Sequence, residues 1–312
     1  MKFTVTIPAY KARYLQEAID SVLAQTFVNF ELIIVNDASP ENLDSIVSNY
    51  TDSRIRYYKN KKNYGAIHVV DNWNKCLSYV MGDYIICMGD DDKLLPNCLD
   101  EYSQLISKYP NLDVFHGWTE IINERSEIIN ILDTRPDWES VYSLIWQRWA
   151  VRQQFIGDFL FKTSTLRENG GFYKLPLGWG SDDLTAYINA EKNGIANTQI
   201  PVFQYRQTGI TISSVSNGLI KIDALKSERK WIEAFLKRLV PKSQLDRRLK
   251  YLLESNIDNR FNKRYQDTIT KDIRNSRNKV FRISYWIRRF GQLDIDRKYF
   301  TKAILKGLLS LF

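Results

Sequence analysis

Short apolar runs separated by amphipathic stretches fill the first ninety or so residues, and this alternation admits few architectures. Phe3–Ile7 is a β-branched run that stops at Pro8, the pattern of a buried strand ending in a loop. Tyr14–Gln25 then carries Leu15, Ala18, Ile19, Val22 and Leu23 at helical spacing. Phe30–Val35 reads as a second strand ending at Asn36-Asp37-Ala38-Ser39-Pro40, where Ser39 or Asp37 is expected to cap a helix begun by Pro40 and Glu41. Ile55–Lys59 is a third strand, followed by a loop over Lys61-Lys62-Asn63-Tyr64-Gly65 and a helix near Ile67–Val80. Tyr84–Met88 is a fourth strand, apolar throughout, and it runs into Gly89-Asp90-Asp91-Asp92. Strands alternating with helices predict a mostly parallel α/β sheet with both faces covered. In such sheets ligands bind outside the carboxyl ends of the strands. The ends at Pro8-Ala9-Tyr10, Asn36-Asp37 and Asp90-Asp91-Asp92 therefore share one rim. No Gly-x-Gly-x-x-Gly and no Gly-x-x-x-x-Gly-Lys-Ser/Thr follows any of these strands, which argues against a dinucleotide fold or a phosphate loop.

The 312 residues are 44% apolar and 13% aromatic, enough to fill a core and too much for a globally disordered chain. No run of about 18 apolar residues is present, so no membrane-spanning helix is expected. The segment Met1-Lys2-Phe3-Thr4-Val5-Thr6-Ile7 lacks the apolar core of a secretory signal. Cys76, Cys87 and Cys98, with only His68 and His116 beside them in the inventory, fit neither a disulfide framework nor a zinc site and read as reduced cytosolic thiols. Charge is divided unevenly. Residues 219–312 hold 24 basic and 10 acidic side chains, a net of +14, against −6 for the first 218. That tail reads as helical over Leu219–Leu239 and Leu245–Ile257, and mixes aromatics, leucines and cations over Val280–Phe290 and Tyr299–Phe312. Two readings of it stay open: an appendage packed on its own domain with a solvated basic face, and an amphipathic surface for a membrane interface. Nucleic acid is not expected as a partner, because no recognition motif accompanies the charge.

Three consecutive carboxylates after a buried strand repel one another unless something neutralises them. Mg²⁺ and Mn²⁺ prefer oxygen ligands and often take one or two carboxylates together with substrate phosphates. The alternative is a solvated turn capping the helix expected near Pro96. The position of Asp90–Asp92 on the same rim as Asp37 favours the metal–phosphate site.

Four pieces of the stretch Thr4–Pro96 resemble the family 2 glycosyltransferases. They are Thr6-Ile7-Pro8-Ala9-Tyr10, Glu17 through Thr26, Phe30 through Ser39, and Gly82-Asp83-Tyr84-Ile85 running into Asp90-Asp91-Asp92-Lys93-Leu94-Leu95-Pro96. The resemblance reaches to about Ser213. It implies the GT-A fold, a Rossmann-like, mostly parallel α/β sheet flanked by helices that binds a nucleotide-sugar. Residues 1–215 would form that domain, with a nucleotide-sugar half over 1–100 and an acceptor half over 101–215. Residues 216–312 would be a basic helical extension.

By the same resemblance, Pro8, Ala9 and Tyr10 line the nucleoside pocket and Asp37 contacts the base, with Asn36 standing where the family often has another Asp. Asn63 and Gly65 match an Asn-x-Gly turn near the nucleotide. Asp71 replaces an Arg of the family, so another cation must serve the diphosphate. The acidic cluster matches the DxD motif, with Gly89 where its first Asp often stands. Asp90 and Asp92 are then expected to hold Mg²⁺ or Mn²⁺, and Asp91 to contact the sugar or ribose.

Further on, Gly178-Trp179-Gly180-Ser181-Asp182-Asp183 precedes an apolar helix that stops at Gly194. Carboxylates in a first turn are favoured by the helix dipole, so capping is the plain reading of Asp182. Asp183 stands eleven residues before Gly194, as the family's catalytic Asp does, and is the expected general base, with Asp182 as the alternate. Trp179 would stack on the acceptor sugar or fill core. In Tyr205 through Ser213, Thr208 occupies a position the family gives to His, which leaves Arg206 as the expected cationic contact to the nucleotide-sugar. His68 and His116 receive no role. The whole implies a metal-dependent inverting enzyme. It would carry a sugar from a UDP-, GDP- or dTDP-linked donor to a hydroxyl of a saccharide or lipid-linked glycan in cell-surface polysaccharide synthesis. Its expected place is the cytoplasm, with the inner face of the cell membrane as the peripheral variant. The rivals are a Mg²⁺ phosphohydrolase, which would need its acidic loop after the first strand, and a non-catalytic nucleotide-sugar-binding scaffold.

Overall fold

Apolar β-branched residues on both faces make the first strands central ones. β1 (Phe3–Ala9) and β2 (Phe30–Asn36) are buried along nearly their whole length. This is a computed structural model, and it describes residues 1–208 and 218–309. The chain divides into two units, one of Met1–Lys174 with Ser181–Gly209, the other of Leu175–Gly180 with Ile210–Phe312.

In the first unit, β3 (Ile55–Lys59), β4 (Tyr84–Cys87), β5 (Lys93–Leu94), β6 (Val114–Ile122), β7 (Ile128–Ile131), β8 (Trp138–Glu139), β9 (Phe159–Lys162) and β10 (Ile195–Arg206) complete one sheet. Its order is β3-β2-β1-β4-β9-β6-β10-β5, with β7 on β6 and β8 on β10. β1 is parallel to β2 and β4, β2 to β3, and β6 to β10. β9 lies antiparallel between β4 and β6. Around the sheet run α1 (Leu15–Leu23), α2 (Leu43–Val47), α3 (Val69–Tyr79), α4 (Cys98–Lys108), α5 (Val141–Ala150), α6 (Thr163–Glu168) and α7 (Ser181–Ala190). The core expected from α1 is present, since Leu15, Ala18, Ile19 and Val22 pack with Phe3, Val5, Ile7, Leu32 and Ile34. This is the mixed α/β fold with a mostly parallel sheet that the sequence implied.

Two local expectations are corrected. The helix after β2 does not begin at Pro40. The Ser39 hydroxyl accepts from the Glu41 N–H at 3.0 Å in a local turn, and α2 starts at Leu43 with Asn42 as its cap, accepting from the Ser45 N–H at 3.2 Å. The short strand expected at Asp113–Phe115 is the start of β6, which continues to Ile122 because three neighbours, β7, β9 and β10, take up its backbone groups.

The second unit holds α8 (Gly218–Arg238), α9 (Gln244–Arg274), α10 (Lys279–Arg289) and α11 (Arg297–Leu308). The helix expected to end at Ile257 runs 31 residues. A buried stripe at every fourth position, Leu249, Leu253, Ile257, Phe261, Tyr265, Ile269 and Ile273, explains the extension. α11 lies on that stripe, with Gly307 against Ile273 so closely that a Cβ there would come within 2.7 Å of its side chain. Trp286 of α10 donates from Nε1 to Asp272 Oδ2 at 2.8 Å, and Arg282 pairs with the same carboxylate. Among the described residues no helix is long and apolar enough to cross a membrane. Gly209–Ser213, matched above to a family segment, and the last three residues of the Tyr299–Phe312 stretch lie outside the described residues.

Candidate active site

The parallel pairing of β1 with β2 and β4 puts their carboxyl ends side by side, as the sequence pattern required. Side chains then tie the ends together. The backbone N–H groups of Tyr10 and Lys11, just past β1, donate to Asp90 Oδ2 at 2.6 and 2.7 Å. The Asp37 N–H donates to the Ala9 carbonyl at 2.9 Å, and the Ser39 hydroxyl to that of Tyr10. Asp37 Oδ1 accepts from Asn60 Nδ2 at 2.8 Å and from the Tyr64 N–H at 3.1 Å, so this carboxylate shapes the following loop. In that loop Asn63 Oδ1 accepts from the Gly65 N–H, and Gly65 has a φ of +71°, which a residue without Cβ adopts freely. Pro8, Ala9, Tyr10, Asp37, Asn63, Gly65 and Asp90 thus belong to one rim.

Asn36 does not face that rim. It is fully buried, its Nδ2 donating to the Tyr57 hydroxyl at 2.8 Å and its Oδ1 accepting from the Ser39 N–H at 2.9 Å. A side chain spent in this way cannot read a base, and the nucleotide role expected for it is withdrawn.

The acidic loop is under electrostatic load. Burial and the neighbouring Asp91 charge push the Asp90 carboxyl up to about 6, and the same two causes raise Asp92. Asp92 Oδ1 accepts from the Arg206 backbone N–H at 2.9 Å. Its other oxygen and Asp91 Oδ1 converge in front of Gly89, where a Cβ would lie 2.8 and 3.0 Å from them. Two carboxylate oxygens meeting over a glycine, beside buried acids that resist ionisation, fit a hard divalent cation whose remaining ligands come from phosphate and water. Among the described residues there is no group of three or more His, Cys, Asp or Glu able to enclose a metal by itself.

Arg206 is the second correction at the site. Its side chain is buried and most of its donors are committed. Nε donates to the Asp91 carbonyl at 2.7 Å, Nη1 to the Asn123 carbonyl and Ser126 Oγ at 3.1 and 2.9 Å, and Nη2 to Glu17 Oε2 at 2.9 Å. The guanidinium also lies over the Tyr14 ring. It pins the acidic loop from behind, with four of its five N–H donors spent on neighbours within the fold. The cation that does stand at the loop is one the sequence reading passed over, Lys11, with Nζ 3.6 Å from Asp91 Oδ2. Asp71, which replaces the family's Arg, pairs with Lys174 Nζ at 2.6 Å and with His68 Nδ1 at 3.3 Å.

Across the sheet, α7 carries Asp182 and Asp183 in its first turn. Asp183 is buried, and its Oδ1 accepts from Arg148 Nε at 2.8 Å and Gln154 Nε2 at 2.7 Å. Gln154 is itself held, its Oε1 accepting from the buried Arg135 Nη2 at 3.3 Å. Asp182 is half-buried, and burial together with the Asp183 charge pushes its carboxyl up to about 8. The charges of both acidic groups act on Tyr205. Burial first, then the charges of Asp92, Asp91 and Asp182, push its phenol up to about 12. Tyr205 stacks on Phe155. Arg148, Gln154, Phe155 and Tyr205 were not singled out from sequence. Only their closeness in space to α7 marks them. Trp179 belongs to the second unit, where Lys221 Nζ stands 4.7 Å from its ring centre. A cavity of about 520 Å³ beside Gly82 and Thr163 opens at the amino end of β4, the end away from the acidic loop.

Comparison with known proteins bears on the family and the fold. The model of the family described as Glycosyl transferase family 2 matches residues 4–169. A glycosyltransferase of Rickettsia felis whose activity is uncharacterized is 33% identical over 138 residues, 43% of this chain and 22% of that protein. The Escherichia coli UDP-Glc:alpha-D-GlcNAc-diphosphoundecaprenol beta-1,3-glucosyltransferase WfgD is 32% identical over 124 residues, 39% of this chain and 47% of WfgD. The matches thus span less than half the length of these curated relatives. Among solved structures, S. aureus TarS 1-349 in complex with UDP-GlcNAc is similar with a TM-score of 0.62 at 15% identity, over 100% of this chain and 82% of that one. The mannosyltransferase PcManGT from Pyrobaculum calidifontis, in complex with GDP-Man and Mn²⁺, gives 0.52 at 14% identity, over 100% and 87%. These likenesses concern the fold. With the family model covering more than half of its residues, the chain belongs to glycosyl transferase family 2.

Proposed function

We propose that this protein is an inverting glycosyltransferase that moves a sugar from a nucleoside-diphosphate sugar to a hydroxyl of a saccharide or lipid-linked glycan in cell-surface polysaccharide synthesis. The observation that carries the reading is the convergence of Asp91 and Asp92 oxygens before Gly89 in a family 2 chain that also holds the buried Asp183 between Arg148 and Gln154. WfgD, named for a UDP-Glc donor and a diphosphoundecaprenol-linked acceptor, and the neighbours bound to UDP-GlcNAc and to GDP-Man with Mn²⁺ support the donor class and the lipid-linked acceptor.

In this reading Pro8, Ala9, Tyr10 and Asp37, with the Asn63–Gly65 turn, hold the nucleoside. Asp91 and Asp92 hold Mg²⁺ or Mn²⁺, a shift from the Asp90–Asp92 pair that the motif alone suggested, because their oxygens converge before Gly89 while Asp90 holds the Tyr10–Lys11 turn. A cation held there would neutralise charge on the departing diphosphate. Lys11 adds a positive charge beside it. Asp183, fixed by Arg148 and Gln154, takes the proton of the acceptor hydroxyl as its oxygen bonds to the anomeric carbon. The bond from that carbon to the phosphate oxygen breaks in the same displacement, and its electron pair leaves with the diphosphate. Asp182 is the second candidate for the base, favoured by its half-burial and its raised proton affinity. Trp179 keeps a proposed acceptor role on ring–sugar stacking alone.

Residues 1–215 form the catalytic part, donor half before acceptor half, and the +14 charge of residues 219–312 supports a place at the cytoplasmic face of a membrane. The test is nucleotide release from a panel of UDP-, GDP- and dTDP-sugars with Mn²⁺ or Mg²⁺. Metal-dependent turnover of at least one donor is expected. Indifference to all of them, without a metal-dependent rise in melting temperature, would favour a scaffold.

A further inference from the structure

The basic face of α10 goes beyond the transfer reaction and does not depend on it. Between Asp272 and Asp294 the chain has six Lys or Arg and no acid. α10 sits in the middle of this stretch with one face settled, since Ile283 and Trp286 are buried and Arg282 and the Trp286 indole are tied to Asp272. The opposite face carries Val280, Phe281, Ser284, Ile287 and Arg288, spaced i, i+1, i+4, i+7 and i+8, so they share one side of the helix. Val280 is 70% exposed, Phe281 65% and Ile287 55%, a helix turned apolar side outward although its other side is already packed.

We propose that this face of α10 docks on a bilayer bearing anionic lipid, with Val280, Phe281 and Ile287 in the headgroup–acyl boundary and Arg277, Arg288 and Arg289 at the phosphates. An amphipathic helix with cations around an exposed aromatic binds such an interface through both terms at once. A second copy of the chain would bring like charges together. A nucleic acid would use the cations and leave the apolar stripe in water.

The experiment is flotation of the full chain with phosphatidylcholine vesicles, with and without about one third phosphatidylglycerol, at low and high salt. The wild type is expected to float at least about tenfold more with the anionic vesicles, and less so at high salt. The V280S/F281S/I287S variant, folded by circular dichroism and melting, should lose most of this binding, and R277S/R288S the salt-sensitive part. No flotation by the wild type, or equal flotation by the apolar variant, overturns the proposal. So does polyuridylate binding at low salt that exceeds vesicle binding and ignores the apolar substitutions. A concentration-dependent dimer abolished by them, with no vesicle binding, would assign the face to a second copy. None of these readouts uses transfer activity, so the outcome is separate from that of the donor panel.

Discussion

Tyr205 lies flat on Phe155, with ring centres 3.7 Å apart and planes within 6° of parallel. The stack joins the end of β10, next to the residue whose amide holds Asp92, to the segment whose Gln154 holds Asp183. A packed pair therefore links the cation side of the site to the candidate base, and displacing either ring disturbs both.

Asp183→Asn should leave nucleotide binding within about twofold and lower transfer by about two or more powers of ten, as loss of a general base does. Asp182→Asn should cost less. Single-turnover rates and nucleotide affinity on each variant check the order. Full activity in Asp183→Asn with collapse in Asp182→Asn would reverse the assignment.

Arg148→Gln removes the cation paired with a buried carboxylate. A stability loss of about 3 kcal/mol is expected in denaturant unfolding. Without the guanidinium only Gln154 orients the Asp183 carboxylate, so transfer by the folded variant should also fall, by about tenfold or more. A merely structural role would lower stability and leave single-turnover transfer by the folded variant unchanged.

Gly89→Ala places a methyl between Asp91 and Asp92. Metal-dependent stabilisation, read as the rise in melting temperature on adding Mn²⁺ with nucleotide, should weaken by about tenfold in apparent affinity, about 1.4 kcal/mol. Chelation should abolish transfer by the wild type, and Mn²⁺ or Mg²⁺ should restore it.

Asp90 holds its proton up to about pH 6 when folded, above the ordinary carboxylate range. Between about pH 4 and 6 the folded chain thus binds more protons than the unfolded one, and this group's contribution makes the metal-free protein less stable as pH rises, by about 3 kcal/mol in total. Asp182, raised in the same direction, extends the trend upward towards pH 8. Cations need ionised carboxylates, so stabilisation by Mn²⁺ should grow across the same range. Melting curves at several pH values, with and without metal, test both slopes.

The parallel half of the sheet was legible because β1, β2 and β4 are short runs dominated by apolar and β-branched residues, although β1 runs through Pro8 to Ala9 rather than stopping before it. β10 was not, since Pro201 and two register shifts interrupt its alternation. Strand-end position placed Asp37 and Asp90–Asp92 on the rim and the family resemblance pointed to Asp182 and Asp183, but neither shows where side chains turn. Arg206 looked like a ligand because its main partner, Glu17, stands 189 residues away, and nothing local shows that its donors are taken. Asn36 failed for a similar reason, as Tyr57 meets it only through strand pairing. Arg148 and Gln154 lie between motifs, where only tertiary packing gives them a task.

The bond from the Arg206 amide to Asp92 spans 114 residues of chain. A growing polypeptide that has emerged only through the acidic loop possesses the three aspartates without the strand that aims them. Contacts of such long sequence separation form late. Affinity for metal and nucleotide should accordingly arise in one step, after β10 has joined the sheet, which makes ligand binding a reporter of completed folding of the first unit.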